Sequence, residues 1–258
     1  MCLIFGVRDE LKGCPNVCRM KRFVLSIFIA VFSITARSQV IISLLFGDKL
    51  NSEKITFGLL VGNGWNYLSD YKTSGSLSKF NLGLYLNFRL NEKLFLQFDA
   101  MAKYNLGAKK LPVYSLGDVA LDSLFATGSV ERNSKYFALI PTIQYRFFSN
   151  FNFEIGTQIS MRLKSTDVFS VGRTGGDLKF EKKITDMSTL FDIGATGGIS
   201  YQIGGSGVKI GARYYYGFID IFSADEGHNA NTSIQLSGYI PIGRKKALER
   251  QQKTETKQ

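Results

Sequence analysis

His228 is the only histidine in the sequence, and it stands shortly after Ser223 with Asp225 and Glu226 between them. A serine near a histidine is the start of the nucleophile and base pair that lipid-modifying enzymes use, but the pair works only when a third group orients the base. Here all four residues lie in one polar stretch between strand-like segments, with no element to hold them, so a solvated loop is the reading the residues favour. Asp225 and Glu226 also lack the ligand spacing of a calcium loop. Cys14 and Cys18 are spaced like half of a metal clasp, yet no second pair follows. The glycines at 62 and 64, 172 to 176 and 204 to 207 are not followed by the helix, lysine and hydroxyl that a phosphate loop requires. They read instead as turns and close-packed strand positions. No catalytic, cofactor or metal site is expected.

One set of chemistry-bearing residues survives this sifting. Arg89, Lys103, Arg146, Arg162, Lys209 and Arg213, with Asp99, Glu154 and Asp192, all fall on the polar faces of segments that alternate apolar and polar residues. If those faces point inward, six cations and three anions must share one interior, and they are expected to form a hydrogen-bonded network because a buried ion without a partner is costly. Counting from the turns places Glu154 opposite Gln144 and diagonal to Arg146, and brings Arg162 towards Asp192.

Eight such segments carry these residues: 55 to 67, 78 to 90, 94 to 106, 135 to 147, 151 to 163, 190 to 203, 207 to 219 and 232 to 243. In the second, Phe80, Leu82, Leu84, Leu86, Phe88 and Leu90 oppose Asn81, Gly83, Asn87 and Arg89. In the third, Leu94, Leu96, Phe98, Ala100, Ala102, Tyr104 and Leu106 oppose Gln97, Asp99, Lys103 and Asn105. Pro141 and Pro241 sit inside segments, and each removes a ladder donor, so a bulge is expected at both. Connections at 91 to 93, 148 to 150 and 204 to 206 are short, whereas those at 69 to 77, 107 to 134, 164 to 189 and 220 to 231 are long or polar. That alternation is the mark of an up-and-down antiparallel meander, trimmed at one end and decorated at the other. Within the long connections, the strand pattern continues through Val168 to Val171, turns at "GRTGG" and returns through Leu178 to Ile184. "GDVALDSLFATG" reads as a short helix capped by Asp118.

Export is legible near the start. Lys21 and Arg22 precede an apolar run from Phe23 to Thr35, which is shorter than the roughly 20 residues a membrane-crossing helix needs. Ala36 and Ser38 then offer small side chains, so cleavage before Gln39 is expected. The resulting division is an upstream extension at 1–19 with Met20 as the start, a signal peptide at 20–38, an entry segment at 39–54, a barrel at 55–243 and a basic polar tail at 244–258. Residues 40 to 47 suit a short entry strand, an interfacial helix or a plug. All three cysteines fall in the first nineteen residues, so the exported chain folds without disulfides. Beyond residue 38 there remain 26 basic and 19 acidic residues, a net +7, of which the tail carries six basic and two acidic, or +4. No basic motif interleaved with aromatics accompanies that excess, which argues against nucleic acid and for a tail facing solvent or a membrane surface.

Alternation does not say which face is buried. A soluble periplasmic barrel would hold a hydrophobic ligand against its apolar face, whereas a membrane barrel shows that face to lipid. Glycine-rich polar faces suit a narrow interior filled by side chains. Segments slightly longer than the roughly 9 to 11 residues of a membrane strand, with Trp65, Tyr67, Tyr104, Phe147, Phe151 and Phe218 near their ends, suit a bilayer with aromatic girdles. Together with the export signal, these features predict an all-β fold: an eight-stranded antiparallel up-and-down transmembrane β-barrel behind an N-terminal signal peptide.

"LLFGDKLNSEKITFGLLVG" at 44 to 62, "LGLYLNFRLNEKLFLQFDAMAKYNLGAK" at 82 to 109, "LDSLFATGSVER" at 121 to 132, "GARYYYGFIDI" at 211 to 221 and the closing "SIQLSGYIPIG" together resemble the PorT-like family of small outer-membrane β-barrel proteins of Gram-negative bacteria. The resemblance covers residue 39 to about 244. It implies an outer-membrane location, contact with outer-membrane lipids and the barrel-assembly machinery, and no catalytic residues. It also implies a structural, adhesion or secretion-accessory role through partners met by the loops. A small-solute porin is the other function the fold suggests. One departure is the ending: "RKKALERQQKTETKQ" follows the last strand where the family ends on an aromatic residue.

Overall fold

Side chains that alternate every residue cannot make a single stripe on a helix, but they divide cleanly between the two faces of a sheet. Aromatic and branched residues interleaved with glycine therefore form strands. The computed structural model describes residues 51–52, 54–69, 74–174, 176–204, 207–222 and 228–243. The expected extension, signal peptide, basic tail and most of the entry segment lie outside them, as do the cysteines, Ser223, Asp225 and Glu226.

Among the described residues nine strands and one short α-helix follow in order, with a single 3-10 turn at Thr185–Met187: β1 (Ile55–Leu68), β2 (Leu77–Arg89), β3 (Leu94–Leu111), α1 (Val119–Phe125), β4 (Ser129–Phe148), β5 (Phe151–Arg173), β6 (Gly176–Lys183), β7 (Phe191–Ile203), β8 (Val208–Gly217) and β9 (Asn231–Pro241). Every pairing is antiparallel. β1 pairs with β2, β2 with β3, β3 with β4, β4 with β5, β5 with β7, β7 with β8, β8 with β9, and β9 returns to β1. The ladders thus close on themselves and leave no free edge among those strands. β6 stands outside that circuit and pairs only with residues Thr166 to Arg173 of β5. It is the returning arm of the hairpin that turns at "GRTGG".

Two connections are more ordered than their polarity suggests. β3 runs to Leu111 and β4 starts at Ser129, so both ends of the expected loop from 107 to 134 are strand. Between them, Asp118 caps α1 by accepting from the backbone N–H groups of Ala120 and Leu121. Beneath the helix, Phe125 joins Leu111, Val130, Phe169, Ile184, Ile221 and Phe222 in a buried apolar cluster. This second core explains why β3, β4 and β5 reach 18, 20 and 23 residues while β8 and β9 have 10 and 11.

The bulge expected at Pro141 is not there. Ile140 and Pro141 drop out of the β4–β5 ladder, but pairing resumes at Thr142↔Gly156 in the register left at Leu139↔Ile159. Gly156 supplies the room, since a Cβ there would run into the Pro141 carbonyl. Pro241 is paired with Gly58 at the very end of β9, where a missing donor costs little.

Burial is inverted relative to a water-soluble sheet. Phe80, Phe153 and Ile210 are 49%, 48% and 47% exposed, while Asp99, Glu154 and Gln158 are 0%, 1% and 0% exposed. The inside is not purely polar, however. Tyr85, Tyr104, Tyr136, Tyr215 and Tyr239 are buried there with Leu60, Met101 and Ile140. Tyr104 was expected on the apolar outer face. A register shift in β3 between Met101 and Tyr104 moves it inward. No helix among the described residues is long and apolar enough to cross a membrane, which says nothing about strands.

Glycine makes room for these rings. A Cβ on Gly58 would lie 2.5 Å from Tyr85 Cε1 and meet the Ile240 carbonyl as well. Gly58→Ala is expected to cost about 1–3 kcal/mol through overpacking. Gly172→Ala, whose Cβ meets nothing nearer than 3.9 Å, is expected to stay within about 0.5 kcal/mol. Urea unfolding of the full-length protein in detergent micelles measures both, and equal midpoints would contradict the packing argument.

Candidate functional site

Arg213, on β8, reaches across the interior to three strands. Its Nε donates to Glu154 Oε1 on β5 at 2.8 Å, and one terminal nitrogen donates to Asp99 Oδ2 on β3 at 2.9 Å and to the Tyr239 hydroxyl on β9 at 3.1 Å. Both carboxylates have a second donor. Gln97 Nε2 bonds Asp99 Oδ1 at 2.8 Å, and Gln144 Nε2 bonds Glu154 Oε2 at 2.9 Å. Each glutamine then turns its carbonyl oxygen to Lys209 Nζ, at 2.6 Å from Gln97 and 3.3 Å from Gln144, and Asn87 donates to both at 3.1 Å. Two cations and two anions are thereby neutralised through two amides, all of them buried. The fork of the guanidinium suits this bridging, which a lysine could not reproduce.

A further layer is built on a single carboxylate. Asp192 accepts from the Tyr215 hydroxyl at 2.9 Å and from Asn231 Nδ2 at 2.8 Å. Nearby, Tyr104 accepts from Gln235 Nε2 at 2.7 Å and from Gln158 Nε2 at 3.1 Å. Beyond it, towards α1, Arg132 and Asp167 form a two-point ion pair, at 2.9 Å from Nε and 2.8 Å from a terminal nitrogen. The Tyr114 hydroxyl bonds the same carboxylate at 2.9 Å, and the guanidinium lies 3.8 Å from the centre of the Phe222 ring.

Of the nine ionic residues singled out in the sequence, Asp99, Glu154, Lys209 and Arg213 meet in one cluster, and Asp192 lies in the separate tyrosine layer. Arg162 does not reach Asp192. It donates instead to Ser188, at 2.5 Å to Oγ and also to the carbonyl. Arg146 is half-buried where the short connections lie, seated 4.7 Å over the Phe95 ring rather than against Glu154, whose diagonal neighbour it is. Arg89 is exposed at the same end. Lys103 faces the opposite way from expectation: it is exposed, with Nζ 5.2 Å from the centre of the Phe80 ring. The cause is the register shift in β3, because Met101 pairs with Gly83 and Lys103 with Leu82, which breaks strict alternation.

The residues missed are Arg132 and Asp167. They are direct cross-strand partners on β4 and β5, but both fall in stretches read as loop. Their signal was the alternation of buried Val130, Arg132 and Ser134 running on unbroken below the expected start of the segment. His228 is exposed, and its backbone carbonyl accepts from the Ser69 hydroxyl at 2.8 Å. Among the described residues no group of three or more His, Cys, Asp or Glu side chains could hold a metal ion.

Residues 51–223 match the family model described as "Outer membrane protein beta-barrel domain". Among solved structures, Neisserial surface protein A is similar at 15% identity, covering 74% of this chain and 100% of its own, with a TM-score of 0.43. The attachment invasion locus protein Ail of Yersinia pestis is similar at 11% identity, covering 73% of this chain and 99% of its own, with a TM-score of 0.37. The outer membrane protein OprG of Pseudomonas aeruginosa is similar at 13% identity, covering 72% and 91%, with a TM-score of 0.33. No curated protein matches the chain.

Replacing Arg213 with methionine leaves two carboxylates facing one another in the interior. R213M is expected to lose about 3–5 kcal/mol, read as a lowered urea midpoint of the micellar protein. Adding D99N and E154Q removes the stranded charges and is expected to restore part of that loss. No recovery in the triple variant would mean that Arg213 acts by packing alone.

Proposed function

We infer the role of this chain from the family to which it belongs, the outer membrane protein beta-barrel domain family. It is a non-enzymatic integral outer-membrane barrel whose membrane wall is formed by eight strands, β1 to β5 and β7 to β9. It is PorT-like in its sequence phrases and has an interior filled by side chains. The observation that carries this reading is the inverted burial, with Phe80, Phe153 and Ile210 outside and Asp99, Glu154 and Arg213 inside. A soluble barrel holding a hydrophobic ligand would need the reverse.

Export through the signal peptide at 20–38 and insertion by the barrel-assembly machinery follow from this reading, with residues 39–54 as the entry segment, 55–243 as the barrel and 244–258 as a periplasmic tail. Short connections belong on the periplasmic side and long ones outside. The extended ends of β3, β4, β5 and β6, topped by α1, then rise from the outer surface, where they serve structure, surface attachment or a secretion partner. A porin is disfavoured by the crossing network of Arg213, Glu154 and Asp99, which spans the interior from β8 to β5 and β3.

Conductance tests the filled interior. Purified protein in planar bilayers is expected to give current indistinguishable from bare membrane at neutral pH, and R213M/D99N/E154Q is expected to stay closed because tyrosines still fill the bore. Large stable pores would overturn the filled lumen. Release from cells by osmotic shock without detergent would overturn the membrane location itself.

A further inference from the structure

A cavity of about 190 Å³ opens at the end where the short connections lie. It is smaller than the roughly 300–1,000 Å³ of sites for drug-sized ligands. Arg89, Arg146 and Lys209 line it, with Asn87, Asn152 and Phe95, and no acidic side chain does so among the described residues. The carboxylates nearest in the network are already engaged, Asp99 and Glu154 both by Arg213. Lys209, although buried, is met by two neutral amide oxygens and by the rings of Tyr85 and Tyr239, at 5.6 and 5.0 Å.

Arg146 is the telling residue. Its guanidinium carbon lies over the Phe95 ring, 4.7 Å from the ring centre. One terminal nitrogen reaches only the Gln202 carbonyl oxygen, at 3.5 Å, and its Nε is buried without a hydrogen-bond partner. Arg89 lines the same cavity with no side-chain hydrogen bond or ion pair among the described residues. A guanidinium seated over a ring, with an unmet N–H, beside two further cations, is organised for something negative that no described residue lining this cavity supplies.

We propose that this cavity binds a phosphate group, with Arg146 and Arg89 as the two guanidinium donors and Lys209 as the charge at its floor. Bidentate donation from arginine matches the tetrahedral oxygens of phosphate, and the cavity volume admits a single such group. The group belongs either to a soluble phosphate or to an anionic phospholipid of the adjacent leaflet. That the cavity faces the periplasm rests on the orientation proposed above, but binding does not.

Inorganic phosphate is the probe, added to the full-length protein in zwitterionic detergent, with chloride added to a matched sample at equal ionic strength. Phosphate is expected to raise the unfolding midpoint saturably, and ³¹P line broadening should give one site. R89Q and R146Q are each expected to weaken binding by about tenfold or more, as for loss of a charge-assisted hydrogen bond, while K103Q, on the outer face, leaves it unchanged. If R146Q does not fold, as judged by its heat-dependent mobility in detergent, R89Q carries the test because that side chain is exposed. Vesicles of phosphatidylglycerol and phosphatidylcholine separate the sources. Competition with free phosphate by phosphatidylglycerol assigns the site to a lipid headgroup, and none assigns it to a soluble anion. No saturable effect beyond that of chloride, or binding unaltered in R89Q, would overturn the proposal. Because the readout is in micelles, failure here leaves the membrane location standing, and failure of that location leaves this result readable.

Discussion

Closing a sheet on itself forces every second side chain into a space that has no second sheet to pack against. The bore must be filled by what those side chains bring, and each buried polar atom must find its partner inside. Arg213 answers this demand at the centre. Its fork takes one carboxylate from β5 and another from β3; Gln144 on the neighbouring β4 completes the first, and Gln97, two residues earlier on β3, completes the second. Removing any one of these residues would leave another charge or amide stranded, so the cluster acts as a single unit. Its net charge is close to zero, which is what a low-dielectric interior tolerates.

Above and below that plane the interior changes character. Towards α1 the polar layers give way to Asp192 with its tyrosine, then to the Arg132 and Asp167 pair, and finally to an apolar core around Phe169 and Phe125. That end is sealed by packing. Towards the short connections no described anion lines the small cavity, where Arg89 and Arg146 stand beside Lys209 of the central cluster. The asymmetry has a simple origin, since the long strands β3, β4 and β5 can support a second core only on the side where they overshoot their neighbours.

The inverted burial connects fold to location. Rings and branched side chains on β2, β5, β7 and β8 stand half-exposed around the outside, an arrangement that water would penalise and hydrocarbon would not. Lys103 marks where this apolar surface begins to yield. It is turned out by a register shift, and its ammonium lies 5.2 Å from the centre of the Phe80 ring.

The central parts of the eight wall strands, the order of short and long connections, the α1 cap and the hairpin beyond Val168 were legible in the chain, because period-two alternation and turn residues are local properties. So were Gln97, Asp99, Gln144 and Glu154 as members of one polar face. The overshoot of β3, β4 and β5 was not. Closure of β9 on β1, the bridging of Asp99 and Glu154 by Arg213, the seating of Arg146 over Phe95 and the outward turn of Lys103 were decided only in three dimensions. The physical reason is that each depends on strands far apart in sequence or on a single shifted residue in β3. Alternation states which side chains share a face, but it cannot say which of them meet across the bore.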